Sequence, residues 1–277
     1  MITGLTLGGN SLLSSQWLLQ SFNNGSFPAT VYTRSKRGGY QGNKLITPSF
    51  ASFSFVLEIK IVGNSFSDLA LQRDAFLGIL GLVHSQGIQT LISTRSDGTS
   101  RQLDIKAIEV TGDLSVDDGT SSLIQVTLLG EYPFLMGSNP KNQDVLISNG
   151  GGFAVPFAIP FDMSAGHSTL VTINNVGNYA AYPIFTFVGT LTNPTITNNT
   201  TGKTLSVAQT LADSAHSLIV DTYQRTAVLQ TSGNNARQYI SGTFWTIPIG
   251  ISTITLTAGS GEMGKCTVSF RDTFLNI

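Results

Sequence analysis

The chain has 277 residues, of which 41% are hydrophobic and only 11% charged, with a formal net charge of −1 and a pI near 6.3. That balance excludes a broadly basic nucleic-acid binder, and a mean hydropathy of +0.15 excludes a disordered chain. No run approaches the ~20 consecutive apolar residues of a membrane-spanning helix, and a neutral surface built from Ser, Thr, Asn and Gly points to permanent assembly rather than to an isolated monomer.

The first residues, Met1-Ile2-Thr3-Gly4-Leu5, lack a charged segment followed by an apolar one. The expectation is synthesis in a cytoplasm without a cleaved secretion signal. Arg34-Ser35-Lys36-Arg37-Gly38-Gly39-Tyr40-Gln41-Gly42-Asn43-Lys44 then packs four positive charges into a glycine-rich loop between strands. It reads either as a solvated hairpin or as an interaction loop, with Arg34, Lys36, Arg37, Tyr40 and Lys44 as candidate contacts. From Ser52 to Ile61 the period is two: Phe53, Phe55, Leu57, Ile59 and Ile61 share one face, and Ser52, Ser54, Glu58 and Lys60 the other. That pattern predicts a strand with one buried side.

The period changes from Ser67, a candidate N-cap, to His84, with Leu69, Arg73, Phe76, Leu80 and Val83 at helical spacing and Gly87 as a stop. Gly78 and Gly81 weaken that helix by ~1 kcal/mol each. His84 at its end suits the helix dipole. Two further strands are expected, one around Leu103, Ile105 and Ala107 and one from Ser122 to Leu129, the second apolar on both faces. Asp117-Asp118-Gly119 between them reads as a hairpin turn.

After Glu131-Tyr132-Pro133-Phe134 the texture changes. A short strand lies between Gly137-Ser138-Asn139-Pro140 and the turn-forming Ser148-Asn149-Gly150-Gly151-Gly152. Short strands then recur at intervals of about ten residues, among them 153–161, 169–174, 184–188, 218–221, 227–230 and 254–257, with no helical pattern. The expected fold is mainly β: a strand-rich N-terminal domain, residues 1–137, with one helix on its sheet, and a C-terminal β-sandwich or jelly roll, residues 138–277.

Catalytic chemistry finds little support. The three histidines, His84, His167 and His216, have no partners at fixed spacing, and the single cysteine, Cys266, sits in an alternating strand and reads as a core residue. Gly259-Ser260-Gly261 lacks the spacing and the following helix of a nucleophile elbow and reads as a turn; a hydrolase would need a reactive Ser260. No zinc, calcium or phosphate-loop pattern occurs, so neither an enzyme nor a cofactor is expected. Asn198-Asn199-Thr200-Thr201 contains glycosylation-like triplets that carry no meaning without a secretory route. The aromatics Tyr179, Tyr182, Tyr223, Tyr239, Phe244 and Trp245 read first as core. The alternative is a carbohydrate-binding module that stacks a glycan on Tyr239, Phe244 or Trp245.

The order of motifs in the second half carries a resemblance. Asn174-Asn175-Val176-Gly177-Asn178-Tyr179-Ala180-Ala181-Tyr182-Pro183-Ile184-Phe185 is followed by Gly189, Asn193-Pro194-Thr195-Ile196-Thr197-Asn198 and Thr200-Thr201-Gly202-Lys203. Leu218-Ile219-Val220-Asp221-Thr222-Tyr223-Gln224-Arg225-Thr226-Ala227-Val228 and Phe244-Trp245-Thr246-Ile247-Pro248-Ile249-Gly250-Ile251-Ser252-Thr253-Ile254 complete the series. This order resembles the galectin-like C-terminal domain of the siphophage distal tail protein (Dit) family, and the N-terminal half is similar to that family in layout. Read locally, Asp221 can accept backbone N–H groups in the turn that it starts, and Arg225 lies near enough in sequence to pair with it.

The resemblance implies a non-enzymatic virion component at the tail tip. It implies a homohexameric ring around a bore, joining the tail tube protein to the tail-tip hub protein and often carrying receptor-binding proteins. No membrane is involved, and DNA meets the ring only in passage through its bore. Some relatives hold receptor-binding proteins through an arm inserted in the C-terminal domain; no such insertion is evident here.

Overall fold

Two compact units make up the chain in a computed structural model that describes residues 2–24, 30–36, 43–113, 120–148, 167–168, 170–213, 215–259 and 263–275. The first comprises Met1–Ser138 with Phe274–Ile277, and the second Asn139–Thr273. The last residues thus group with the N-terminal unit, and not with the sandwich to which the sequence reading assigns them.

In the first unit the main sheet runs Asn10–Ser11, Ile2–Leu7, Gln89–Arg95, Ser100–Asp113, Ser121–Gly130, Ser54–Val62, Trp17–Asn24. Every adjacent pair is antiparallel. The period-two segment behaves as its pattern requires: Phe55, Leu57, Ile59 and Ile61 are wholly buried, while Glu58 and Lys60 lie opposite Gln125 and Leu123 on the other face. A separate hairpin pairs Thr30–Lys36 with Asn43–Phe50.

One α-helix, Phe66–Gln86, is present among the described residues, and it packs on the main sheet. Its buried side chains are Leu69, Phe76, Leu80 and Val83, and the Trp17 ring meets Phe76 edge-on at 5.4 Å. The N-cap is Ser65 rather than Ser67: the Ser65 hydroxyl accepts the Asp68 N–H at 3.2 Å. Ser67 lies within the first turn instead. The Asp68 carboxylate holds the preceding loop by accepting the Asn64 N–H at 2.7 Å. That bond is the main reason its carboxyl is shifted below the usual carboxylate value. Gly87 ends the helix with φ of 83°.

The second unit is a β-sandwich. One sheet runs His167–Ser168, Lys141–Ser148, Gly264–Phe270, Ile184–Gly189, Leu218–Asp221, Thr226–Leu229. The other runs Val171–Asn175, Gly250–Thr257, Thr195–Asn198, Lys203–Val207, Ile240–Gly242. Their inner faces share one core that includes Phe185, Phe187, Leu205, Leu218, Trp245, Ile254, Leu256, Cys266 and Val268. Cys266 is fully buried, and burial pushes its thiol up. Residues 153–161, where the sequence predicts a strand, lie outside the described residues, as do Asp117-Asp118-Gly119 and Ser260.

Candidate interaction surfaces

The basic loop divides across the hairpin. Arg34 and Lys36 belong to Thr30–Lys36, and Lys44 to Asn43–Phe50; Arg37 and Tyr40 lie outside the described residues. Backbone register places Arg34 opposite Leu45, Ser35 opposite Lys44 and Lys36 opposite Asn43.

The glycan-stacking candidates fare differently from one another. Trp245 is wholly buried, with its ring 4.6 Å from Phe185 at the centre of the sandwich. Both of its faces are committed to the core, so Trp245 offers nothing to a sugar, and the stacking role predicted for it is corrected. Local alternation explains this: in the segment between Ile240–Gly242 and Gly250–Thr257, Trp245 and Ile247 are buried while Phe244 and Thr246 are half-buried. Phe244 is half-buried, with the Arg237 guanidinium 4.5 Å from its ring centre, which covers one face. Tyr239 is also half-buried against the core and ends the short turn Arg237–Tyr239.

A different aromatic group comes together instead. Ile184 pairs with Asp221 in neighbouring strands, which brings Tyr182 beside the turn that follows Asp221. The Tyr182 and Tyr223 rings meet edge-on at 5.0 Å and 86°. Pro183 opens its strand, and its carbonyl accepts both the Thr222 hydroxyl at 2.7 Å and the Thr222 N–H at 3.3 Å. The Asp221 carboxylate accepts the Tyr223 and Gln224 N–H groups at 2.8 and 2.9 Å. That capping is the part of the sequence reading that holds. The expected Asp221–Arg225 ion pair does not form; Arg225 takes a left-handed backbone with φ of 56°, an uncommon state for a side chain of its size. Burial raises the Tyr182 phenol above its ordinary value, with the Tyr179 and Tyr223 phenols adding to the shift and Arg225 opposing it. Tyr179, Tyr223 and Arg225 therefore each lie within electrostatic reach of Tyr182.

A single signal in the sequence marks this corner, the Asp-Thr-Tyr-Gln-Arg run after an apolar strand. The tyrosines it joins lie some forty positions earlier, and only strand register connects them. Among the described residues no group of three or more His, Cys, Asp or Glu side chains is arranged to hold a metal. No helix among them is long and apolar enough to cross a membrane.

Comparison with known proteins bears on both units. Residues 176–274 match the family model of the siphovirus-type tail component, C-terminal domain. No curated protein sequence matches. Among solved structures, the chain is similar to the Dit protein (gp 19.1) of phage SPP1, at 16% identity and a TM-score of 0.65, over 98% of this chain and 99% of that one. It also aligns with a chain of the phage P2 baseplate in its Ca-activated conformation, at 10% identity and a TM-score of 0.48, over 98% of each chain. The SPP1 likeness extends the fold assignment through the N-terminal unit, which the family model does not reach. Residues 176–274 thus carry a siphovirus-type tail-component C-terminal domain, and the fold of the SPP1 Dit protein runs the length of the chain.

Proposed function

We propose that the chain forms a homohexameric ring at the tip of a long non-contractile tail, joining the tail tube to the tail-tip hub protein, and that it acts through its interfaces without catalysis. The observation that carries this reading is the tail-component domain set within a full-length Dit fold. Physical features of the N-terminal unit agree with it. Among the described residues, the strand Trp17–Asn24 pairs on one side only, with Ser54–Val62. An open sheet edge is a liability in a free monomer, and ring closure gives it a neighbour. The low charge of the chain fits surfaces that stay covered, because interface cores are depleted of charge.

The basic hairpin is the proposed contact with the tube or with a neighbouring subunit. Tail joining tests it: purified wild-type chain caps tubes assembled from the tube protein, and a variant with Arg34, Lys36 and Arg37 changed to Ser caps them poorly. Tubes left bare by the wild type contradict the joining role. Equal capping by the variant returns the hairpin to a solvated loop.

A further inference from the structure

The proposed ring draws on no residue of one corner of the sandwich, built by Tyr182, Tyr223 and Arg225 with Tyr179 in electrostatic reach of Tyr182. Its supports are rigid. Thr222 is pinned twice to the Pro183 carbonyl, and the Asp221 carboxylate fixes the N–H groups of Tyr223 and Gln224. Arg225 follows with φ of 56°, a strained state that persists only where surrounding structure imposes it and that clusters at functional positions. Asp221 spends an oxygen on backbone N–H groups and does not pair with Arg225, so the guanidinium stands exposed without a carboxylate partner among the described residues.

We propose that this corner binds a phosphorylated saccharide. A guanidinium fork matches phosphate oxygens in a bidentate fashion. Tyrosine offers a ring against the C–H face of a sugar and a hydroxyl for the sugar's own hydroxyls, and Tyr223 is the exposed ring of the set, at 36%. One cation among three phenols suits a ligand with one anionic group and many hydroxyls. An acidic peptide needs a row of cations, and the turn supplies Arg225 alone.

Calorimetric titration of the full chain tests the proposal with glucose 6-phosphate, glucose, inorganic phosphate and a tetraglutamate peptide. Glucose 6-phosphate should bind saturably, and glucose and inorganic phosphate each at least about tenfold more weakly. Arg225→Gly should lose about tenfold or more in affinity with no fall in melting temperature, because glycine accepts the left-handed backbone freely. Arg225→Gln keeps the side-chain bulk and removes only the charge, so it reads the same loss if the glycine variant misfolds. Tyr223→Ala should weaken the sugar phosphate more than it weakens phosphate. The proposal is overturned if glucose 6-phosphate fails to saturate the wild type, or if both Arg225 variants bind it equally well. Phosphate alone binding as tightly identifies a bare anion site, and tighter binding of tetraglutamate an acidic-protein surface; each overturns the saccharide assignment.

Discussion

The Arg101 guanidinium lies 3.9 Å from the centre of the Phe274 ring, so a residue from the end of the chain stacks on a strand of the first sheet. Arg101 is nearly buried, at 9% exposure. Burial lowers its value to about 10, with repulsion from Arg95 contributing; it stays charged at neutral pH. A desolvated cation over an aromatic face is worth about 2 kcal/mol, and Phe274 also packs against the N-terminal core. Phe274→Ala should therefore destabilise the N-terminal unit by roughly 2–3 kcal/mol. Hydrogen exchange reads it as faster exchange in Ser100–Asp113. Unchanged protection there would show that the ring contributes no stability to that sheet.

Trp245 separates core from ligand site. Trp245→Ala should cost about 3–5 kcal/mol, the range for a large aromatic lost from a core. Trp245→Phe should cost much less, because the indole Nε1 is buried without a hydrogen-bond partner and phenylalanine removes that burden. Chemical denaturation followed in the sandwich measures both. An alanine variant of native stability would return Trp245 to the surface.

Gly177 lies where no side chain fits. A Cβ there would stand 2.1 Å from the Thr273 carbonyl oxygen and 2.7 Å from its nitrogen, both backbone atoms that cannot swing aside. Gly177→Ala should destabilise the sandwich by about 2 kcal/mol or more. At Gly202, where a Cβ meets nothing within 4 Å, Gly202→Asn should be nearly neutral, since asparagine tolerates the left-handed backbone. Denaturant midpoints of the two variants compare them directly; equal effects would refute the packing argument.

Asp144 links the sandwich to pH. Its carboxylate accepts from Lys265 Nζ at 2.7 Å and from the Thr267 hydroxyl at 2.6 Å. These bonds, that from Lys265 foremost, hold it below its ordinary value of 3.8. A carboxyl lowered in the folded state binds its proton more readily when unfolded. Its stabilising contribution is thus present above 3.8 and is lost as pH falls through the lower folded value. Asp144→Asn should narrow the stability difference between pH 6 and pH 3 in melting curves, by a small amount because both partners are solvent-exposed. An unaltered acid limb would show that Asp144 contributes no pH-dependent stability.

What the sequence disclosed depended on whether a local pattern was enough. The strand Ser54–Val62 was legible because alternating phenylalanines and isoleucines leave one solution. The helix was legible too, but its start was misplaced by two residues between two serines. The spacing Ser65-Phe66-Ser67-Asp68, a serine three residues before an acid, was the available signal. Trp245 could not be placed by composition, since an inward and an outward aromatic look alike until the alternation of their segment is anchored. Tyr182 and Tyr223 meet only through the Ile184–Asp221 register, which no local pattern encodes. Sequence spacing pairs Arg225 with Asp221, but that carboxylate is taken by the nearer backbone N–H groups, and among the described residues the guanidinium has no carboxylate partner.

Light scattering coupled to size exclusion, on the purified full chain at micromolar concentration, tests the closed ring of six. A closed ring gives a single species of six times the 29.4 kDa chain mass, with six-fold rings in electron micrographs of the same fraction. A stable monomer at that concentration would contradict it.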